Sequence, residues 1–363
     1  MNTNPQRKRV LIAPLDWGLG HATRCLVIIR ALQKFNCDIT VAASGKIKSL
    51  IQNEFPNLYF LDLQGYNISY SRSKRTLPFK ILLQIPKILK IIRFENKWLS
   101  QIIETKKFDA VISDNRFGFH TKQVASVFMT HQLQIETNFW GTKTLLRHLN
   151  YQYINRFREC WVPDFADSLN ISGQLSHPEI LPAIPVKYLG PLSRFMKSNR
   201  SALIKFKYVA IISGPEPQRS VFEKKIIEVA SKTDDEFLLV RGLPGEREST
   251  FLPSNCKAFN HLNTNEMAEA IESGEFVVSR CGYTTVMEIL SLQKKSILIP
   301  TPGQTEQEYL AKHLLKQNWC YTFNQEDDFA FHLQKAKSFE YKLPEMNMHL
   351  HEDIIAGFIN ALQ

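Results

Sequence analysis

The sequence predicts an α/β protein made of two tandem, doubly wound domains. Its length of 363 residues suits two domains of roughly 150 residues each. Short apolar runs alternate with helical patterns in both halves, which is typical of parallel sheets covered by helices on both faces. The composition, 44% hydrophobic and 22% charged, excludes a disordered chain, because apolar surface is available to offset the entropy of ordering.

The first half alternates strands and helices. Buried strands are predicted where apolar residues cluster between polar turns, at 9–14, 37–43, 58–63, 109–114, 126–130 and 159–163. A helical pattern occupies 22–35, and Ser44 can begin a second helix that runs to about residue 53. This order predicts a parallel sheet in the first domain.

The second half repeats the alternation. Strands are predicted at 208–213, 236–241, 257–260, 275–279 and 295–300. Helical patterns begin after several of these strands, at about 219, 264, 282, 305 and 350. The two halves are therefore interpreted as two Rossmann-like domains that face each other across a cleft.

Domain boundaries follow from composition. Residues 173–191 hold four prolines and no helical period, which indicates a connection between domains. We expect an N-terminal domain at 1–172, a linker at 173–200, a C-terminal domain at 201–345 and a helix at 346–363 that could pack back on the N-terminal domain.

The positive charge is concentrated near the start of the chain. The net charge is +10, and residues 1–100 alone hold 16 basic and 5 acidic side chains. Such an excess indicates a polyanionic partner for the first domain: a nucleic acid, an anionic membrane or a phosphorylated substrate. No helix-turn-helix, zinc-finger or RNP pattern is present, so we expect no nucleic acid.

The six cysteines have no CxxC spacing and no accompanying histidine cluster, which argues against a zinc site and a disulfide framework. A reducing cytoplasm fits this usage. The N-terminus lacks the apolar core and cleavage site of a signal peptide, and no uncharged run reaches the roughly 18 residues that span a bilayer. We expect a cytoplasmic protein that could be peripheral on the inner face of the cell membrane.

In open parallel sheets, ligands bind beyond the carboxyl ends of the strands. The first such loop is Asp16–His21, where Gly18 and Gly20 allow close approach and a helix follows. His21 could act there as a general base, or it could be a capping or structural histidine. The spacing is not GxGxxG, so NAD binding has little support.

Three loops in the second half have the same position after a strand. Ser213, Gly214 and Arg219 could hold a phosphate, although a plain turn is equally compatible. The stretch from Ser279 to Glu288 begins a helix whose first N–H groups suit a diphosphate. The carboxylate of Glu288 could accept hydrogen bonds from ribose hydroxyls. A third loop offers polar side chains for sugar hydroxyls through Gln304, Glu306 and Gln307. Each pattern is also compatible with an ordinary polar helix start.

Taken together, these motifs resemble a GT-B glycosyltransferase. Residues Phe276–Ala311 contain a strand, Ser-Arg-x-Gly-x-x-Thr-x-x-Glu, a second strand, a proline and a glutamine-bearing loop before a helix. This order is most similar to glycosyltransferase family 28, which includes the peptidoglycan N-acetylglucosaminyltransferase. The matching positions are Ser279, Arg280, Gly282, Thr285, Glu288, Pro300 and Gln307. The loop ending at His21 is a weaker match to the glycine-rich loop of the family.

The resemblance implies roles for individual residues. A nucleoside-diphosphate sugar, with UDP expected, would bind the C-terminal domain. The implied donor-binding residues are Ser213, Gly214, Arg219, Arg280, Gly282, Thr284, Thr285, Glu288, Gln304, Glu306 and Gln307. His21 would be the base, with Asp16 and Asp114 as alternatives, and Gly18, Gly20 and His131 would lie on the acceptor side.

The implied reaction is the transfer of a sugar to an acceptor hydroxyl with inversion. A lipid-linked molecule or a glycan is the candidate acceptor. Helix N-termini would stabilise the leaving diphosphate, so neither a metal nor another cofactor is expected. A nucleotide-sugar epimerase or hydrolase of the same fold is the alternative activity. A non-catalytic binder of sugar nucleotides would have the same donor loops.

Residues Phe79–Phe94 form an apolar stretch with lysines and no acidic residue. As a basic amphipathic helix, it could lie on an anionic membrane with Ile81, Ile85, Ile88 and Ile92 inserted, and Pro86 would kink or split it. Together with Ser71–Arg75, it makes 71–97 the expected membrane contact. A core helix with solvated lysines is an equally good interpretation.

Overall fold

A computed structural model describes residues 7–66, 83–137, 141–195, 203–243 and 251–362. The chain divides into two compact units: the first holds the described residues up to Leu192 and those from Asn347 onward, and the second is Ser193–Met346. The predictions for Ser71–Arg75 and for the start of the basic apolar stretch, up to residue 82, lie outside the described residues.

The first unit is built on a seven-stranded parallel sheet with strand order β3-β2-β1-β4-β5-β6-β7. Apolar strands buried along most of their length form its centre, as their near-continuous Val, Ile and Leu content predicts. Its elements are β1 (Arg9–Pro14), α1 (Leu19–Lys34), β2 (Asp38–Ala42), α2 (Gly45–Glu54), β3 (Tyr59–Leu61), α3 (Ile85–Lys106), β4 (Ala110–Asp114), β5 (Ala125–Met129), α4 (Thr142–Ile154), β6 (Glu159–Val162) and β7 (Val186–Tyr188).

The second unit has a six-stranded parallel sheet with strand order β10-β9-β8-β11-β12-β13. Its elements are β8 (Phe206–Ile211), α5 (Gln218–Ala230), β9 (Phe237–Val240), β10 (Cys256–Phe259), α6 (Thr264–Glu272), β11 (Gly274–Arg280), α7 (Tyr283–Ser291), β12 (Lys295–Ile299), α8 (Thr305–Lys316), β13 (Tyr321–Thr322) and α9 (Phe329–Lys337). The predicted α/β class with two parallel sheets is confirmed.

Each sheet has one point where the strand order reverses. In the first unit this point lies between β1 and β4, where Pro14 pairs with Asp114. In the second unit it lies between β8 and β11, where Ile211 pairs with Ser279. Loops leaving neighbouring strands in opposite directions open a crevice at such a point, which is where ligands bind in open α/β sheets.

The proline-containing stretch 173–191, within the predicted linker 173–200, is not only a connection. It contains β7, which pairs in parallel with β6, and the chain stays in the first unit as far as Leu192. The helical period is absent because these residues form a strand and a short 3-10 turn at Gly173–Leu175. The part of the prediction that assigned β7 to a linker is therefore corrected.

The C-terminal helix α10 (Leu350–Asn360) belongs to the first unit. Lys34, at the end of α1, donates to Glu352 at 2.7 Å. Phe358 packs edge-on against Trp161 of β6, with ring centroids 5.2 Å apart. The end of the chain therefore covers the first sheet and the end of α1.

Helix α3 differs from the expected membrane helix. Ile91 and Ile92 are buried against Leu15 and Tyr66, and Ile88 is half-buried beside them, so this apolar face is core. Pro86 lies in the first turn of the described helix, where its missing N–H costs no hydrogen bond. Within the described ranges, no helix is long and apolar enough to cross a membrane.

The loop after β4 passes very close to α3. A Cβ on Gly118 would lie 2.3 Å from the carbonyl oxygen of Ile92 and 2.8 Å from Glu95 Oε2. Backbone and a buried carboxylate cannot yield at such distances, so only glycine fits. By contrast, a Cβ on Gly357 in α10 would meet no atom within 4 Å.

We therefore expect Gly118→Ala and Gly357→Ala to change stability in opposite directions. Overpacking at Gly118 should lower the free energy of unfolding by about 1–3 kcal/mol. Alanine at position 357 should raise it by about 0.5–1 kcal/mol, because glycine is a poor helix residue. Urea titrations of both variants provide the measurement, and equal or reversed shifts would contradict the close packing of Gly118.

Candidate functional site

In the first unit, the strand register gathers several predicted residues at one edge of the sheet. Pro14 pairs with Asp114, which in turn pairs with Met129. The turn after β1, the end of β4 and the loop after β5 therefore lie side by side. They carry Asp16, His21, Asp114 and His131.

His21 and Asp114 are in direct contact. The Nδ1 atom of His21 lies 3.0 Å from Oδ2 of Asp114. His21 is in the first turn of α1, because the helix begins at Leu19 and not at residue 22. Its side chain keeps 17% of its surface exposed, whereas Asp114 is fully buried. The histidine can therefore meet a ligand, and the aspartate can act only through its neighbours.

Arg24 completes this cluster. It lies one turn after His21 on α1, and its guanidinium binds both carboxylate oxygens of Asp114, with Nε 2.9 Å from Oδ2. Its Nη2 atom is 2.9 Å from His21 Nδ1, and Nη1 is 3.4 Å from His131 Nδ1. Arg24 is itself only 2% exposed. The carboxylate charge is thus neutralised inside the protein.

Burial and this charge arrangement shift both pKa values. Burial lowers the pKa of His21, Arg24 lowers it further, and the carboxylate of Asp114 opposes them. Burial alone would raise the pKa of Asp114, but Arg24 and His21 outweigh it and hold that pKa at about 2. At neutral pH, His21 is a neutral imidazole and Asp114 is ionised. This combination is suited to a base oriented by a carboxylate.

Asp16 is held apart from that pair. Its Oδ1 accepts the backbone N–H of Tyr66 at 2.9 Å and lies 3.9 Å from Nη2 of Arg116. A Cβ on Gly65 would lie 2.3 Å from Asp16 Oδ2, so this close approach requires glycine. The side chain of Asp16 is 18% exposed.

The remaining acceptor-side residues lie at the same edge. Gly18 is the N-cap of α1, and Gly20 accepts a bond from the hydroxyl of Thr23 at 3.0 Å. His131 is 5% exposed and contacts Arg24, so it is a buried neighbour of the cluster.

In the second unit, three predicted loops meet at the carboxyl edge of the sheet. Ile211 of β8 pairs with Ser279, and Arg280 pairs with Ile299 of β12. The loops that begin near Ser213, Cys281 and Pro300 are consequently neighbours. Ser213 is half-buried, and Gly214 is exposed with a φ of 107°, a conformation that favours glycine.

The helix α7 carries the centre of the predicted donor site. Gly282 is its N-cap, Thr284 and Thr285 lie in its first turn, and Glu288 follows near its second turn. A helix start of this kind presents N–H groups and the positive end of the dipole to an anion. Glu288 is 8% exposed and accepts a hydrogen bond at 2.8 Å from Nε of Arg194. Burial raises the pKa of Glu288, and Arg194 opposes the shift.

Two predicted cations have internal partners. Arg219 donates to Glu216 at 2.6 Å and lies 3.0 Å from Glu223. Arg280 donates to Gln218 O at 3.0 Å and to the side chain of Gln325, and its guanidinium lies over the ring of Phe222. Burial lowers the pKa of Arg280 to about 10. Both guanidinium groups are thus engaged with protein groups, and their part in donor binding stays a prediction.

The loop after β12 is fixed by its own glutamines. Gln304 is the N-cap of α8, and its side chain accepts a bond at 2.5 Å from Gln307 Nε2. Gln307 Oε1 accepts the N–H of Thr301 at 2.9 Å. Glu306 is half-buried in the same turn. The side chains predicted to bind sugar are thus gathered at one helix start.

Sequence reasoning missed Arg24 and Arg194. Arg24 could have been found, because a basic residue three positions after His21 in an apolar helical stretch lies on the same helix face. Arg194 could not, since it is 94 positions from Glu288 and follows no periodic element. In the described part of the chain, no group of three or more His, Cys, Asp or Glu could hold a metal ion.

Comparisons with known proteins find similarity to glycosyltransferases. Residues 218–345 match the family model described as the glycosyltransferase family 28 C-terminal domain. An uncharacterized glycosyltransferase of Methanosarcina mazei is 24% identical over 330 residues, covering 83% of this chain and 81% of its own. A UDP-N-acetylglucosamine–N-acetylmuramyl-(pentapeptide) pyrophosphoryl-undecaprenol N-acetylglucosamine transferase of Caldicellulosiruptor saccharolyticus is 23% identical, covering 89% and 86% of the two chains.

Solved structures show the same fold. MurG of Acinetobacter baumannii superposes with a TM-score of 0.56 at 14% identity, covering 98% of this chain and 99% of its own. UGT71G1 of Medicago truncatula, solved with UDP-glucose, gives a TM-score of 0.59 at 14% identity, covering 99% and 95%. The fold and the family match define a glycosyltransferase of the GT-B class. Residues 218–345 of its second unit match the family 28 C-terminal domain, and the predicted resemblance is confirmed.

Proposed function

We propose that the protein transfers a sugar from a UDP-sugar to an acceptor hydroxyl with inversion at the anomeric carbon. The observation that carries this proposal is the contact of a partly exposed, neutral His21 with a buried, ionised Asp114 at the strand-order reversal of the first sheet. A relative that names a UDP-sugar as its donor supports the choice of nucleotide.

His21 is the proposed base. In the tautomer with the proton on Nδ1, this N–H donates to Asp114 and Nε2 can accept the proton of the acceptor hydroxyl. The hydroxyl oxygen attacks the anomeric carbon, the bond from that carbon to the diphosphate oxygen breaks, and the diphosphate leaves with the electron pair. Asp114 orients the imidazole and stabilises the imidazolium, as its burial and ion pair with Arg24 suit it to do.

The donor is assigned to the second unit. Glu288 accepts hydrogen bonds from the ribose hydroxyls, and the first turn of α7, with Gly282, Thr284 and Thr285, stabilises the diphosphate. The loop at Ser213 and Gly214 lies beside it, while Gln304, Glu306 and Gln307 contact the donor sugar. We propose that this charge stabilisation works without a metal ion or another cofactor.

The ribose contact is tested with paired nucleotides. Calorimetry should show UDP binding more tightly than 2′-deoxy-UDP by about tenfold or more, because a hydrogen bond to a charged group contributes about 1.5–3 kcal/mol. Glu288→Gln should weaken UDP binding and remove most of that preference. Glu236→Gln, an exposed control on the same unit, should retain it. An unchanged preference in Glu288→Gln would exclude the ribose role.

The base is tested by turnover. His21→Ala should lower the rate of UDP release from UDP-sugars, with a cell extract as acceptor source, by about 10²–10⁴-fold while UDP affinity is kept. His148→Ala, an exposed histidine on α4, is the control.

The pH profile adds a second measurement. Because burial lowers the pKa of His21, wild-type activity should rise as the pH increases through a value below 6.5 and then stay level. EDTA should leave the plateau unchanged. Full activity of His21→Ala, or a plateau reached only above pH 7, would rule out this base.

We further propose that the acceptor is lipid-linked or a glycan and that the first unit contacts an anionic membrane surface. Ile91 and Ile92 of α3 are buried, so we propose that the contact is mainly electrostatic. Lys87, Lys90, Arg93 and Lys97 are exposed along α3, and Leu83, Ile85 and Phe94 are exposed beside them at 66%, 41% and 44%. Such a basic stripe attracts anionic headgroups.

Neutralising three of these cations should weaken vesicle binding. At about 1 kcal/mol per charge, the Lys87→Gln, Lys90→Gln, Arg93→Gln variant should lose roughly 100-fold in partition onto vesicles containing phosphatidylglycerol. Binding of the wild type should be weak on neutral phosphatidylcholine. The control variant Lys224→Gln, Lys312→Gln, Lys316→Gln should bind as wild type in a sedimentation assay. Equal binding of all three proteins would contradict the proposed surface.

A further inference from the structure

The turn that leads to His21 presents an aromatic ring to solvent. Trp17 follows Asp16 after β1, four positions before the proposed base, and is 40% exposed. A single exposed apolar residue is common on protein surfaces and needs no function by itself. The inference below therefore rests on how this ring is supported and on what lies next to it.

One buried residue fixes both members of the Asp16–Trp17 pair. The ring of Tyr66 meets that of Trp17 edge-on, with centroids 6.0 Å apart and an interplanar angle of 86°. The backbone N–H of Tyr66 donates to Asp16 Oδ1 at 2.9 Å. Tyr66 is 2% exposed, so its position is set by the core. Tyr66 therefore supports both the indole of Trp17 and the carboxylate of Asp16.

A buried ion pair in turn holds Tyr66. Its hydroxyl donates to Glu95 Oε2 at 2.7 Å, and Glu95 Oε1 lies 2.5 Å from Nη1 of Arg116. Arg116 also donates to the carbonyl of Pro14, at the end of β1, at 2.9 Å. Glu95 and Arg116 are 0% and 1% exposed. Burying two charges is costly, and apolar residues of similar volume can stabilise a core as well or better. Such a pair is better explained by the position it gives to its neighbours.

The chemistry of Trp17 and Asp16 indicates the class of ligand that they would bind. A pyranose ring has an apolar C–H face that packs on an aromatic ring and hydroxyl groups that donate to a carboxylate. Binding sites of this kind combine aromatic surface with a few placed polar groups. An alkyl chain would cover Trp17 equally well, but it would desolvate the carboxylate of Asp16 without supplying a hydrogen bond.

We propose that Trp17 and Asp16 form an acceptor subsite for a carbohydrate ring, with Trp17 stacking on the sugar. Tyr66, Glu95 and Arg116 are positioning residues for this subsite. The proposal rests on the assignment of acceptor binding to the first unit, and it narrows the acceptor to a molecule whose reacting end is a sugar.

The subsite is tested by saturation-transfer NMR on the full chain with UDP present. The probes are methyl pyranosides of glucose, galactose, mannose, N-acetylglucosamine and rhamnose. We expect saturation of the ring protons of at least one glycoside, a fivefold or greater loss in Trp17→Ala, and retention of most of the signal in Trp17→Phe. Tyr59→Ala removes another exposed aromatic residue of the first unit, 56% exposed, and should leave the signal unchanged.

Three results would overturn the proposal. The first is no saturation of any glycoside by the wild type. The second is an equal signal in wild type and Trp17→Ala. The third is that n-octyl glucoside is saturated on its alkyl protons and not on its ring protons, which would make the subsite a lipid contact. UDP calorimetry on the same samples separates the two hypotheses, because missing UDP binding counts against the donor site alone.

Discussion

The buried ion pair between Arg24 and Asp114 joins α1 to β4 where the strand order of the first sheet reverses. Both side chains are almost completely buried, so each depends on the other for its charge, and breaking such a pair costs about 3–5 kcal/mol. The same pair fixes the first turn of α1 against the end of β4. The contact of His21 with Asp114 follows from that constraint.

In the second unit, most charged groups near the loops support the loops themselves. Arg280 and Arg219 hold neighbouring segments through internal partners, and the helix start at Gly282 remains as the source of positive potential. Backbone N–H groups keep their positions without rotamer freedom, which suits them to stabilise a leaving diphosphate. The Arg194 contact of Glu288 opposes the rise in the pKa of that carboxyl group that burial causes.

Local patterns could be predicted from the sequence, whereas long-range pairs could not. The strands, the Gly282–Glu288 motif and the loop at His21 depend on residues close in the chain, so periodicity and spacing indicate them. The network of Tyr66, Glu95 and Arg116 joins distant segments and leaves no local pattern. The surroundings of helix α3 could not be predicted for a related reason. Its period indicates an apolar face, but whether core or lipid covers that face depends on the rest of the fold.

Because α10 packs on the first unit, that unit is discontinuous along the chain, and the second unit is an insertion within it. During synthesis, the first unit therefore remains incomplete until α10 has emerged from the ribosome. A fragment that ends near Leu192 exposes the surface that α10 covers, including Trp161. To obtain the first unit alone, the two segments must be joined by a short linker in place of the second unit.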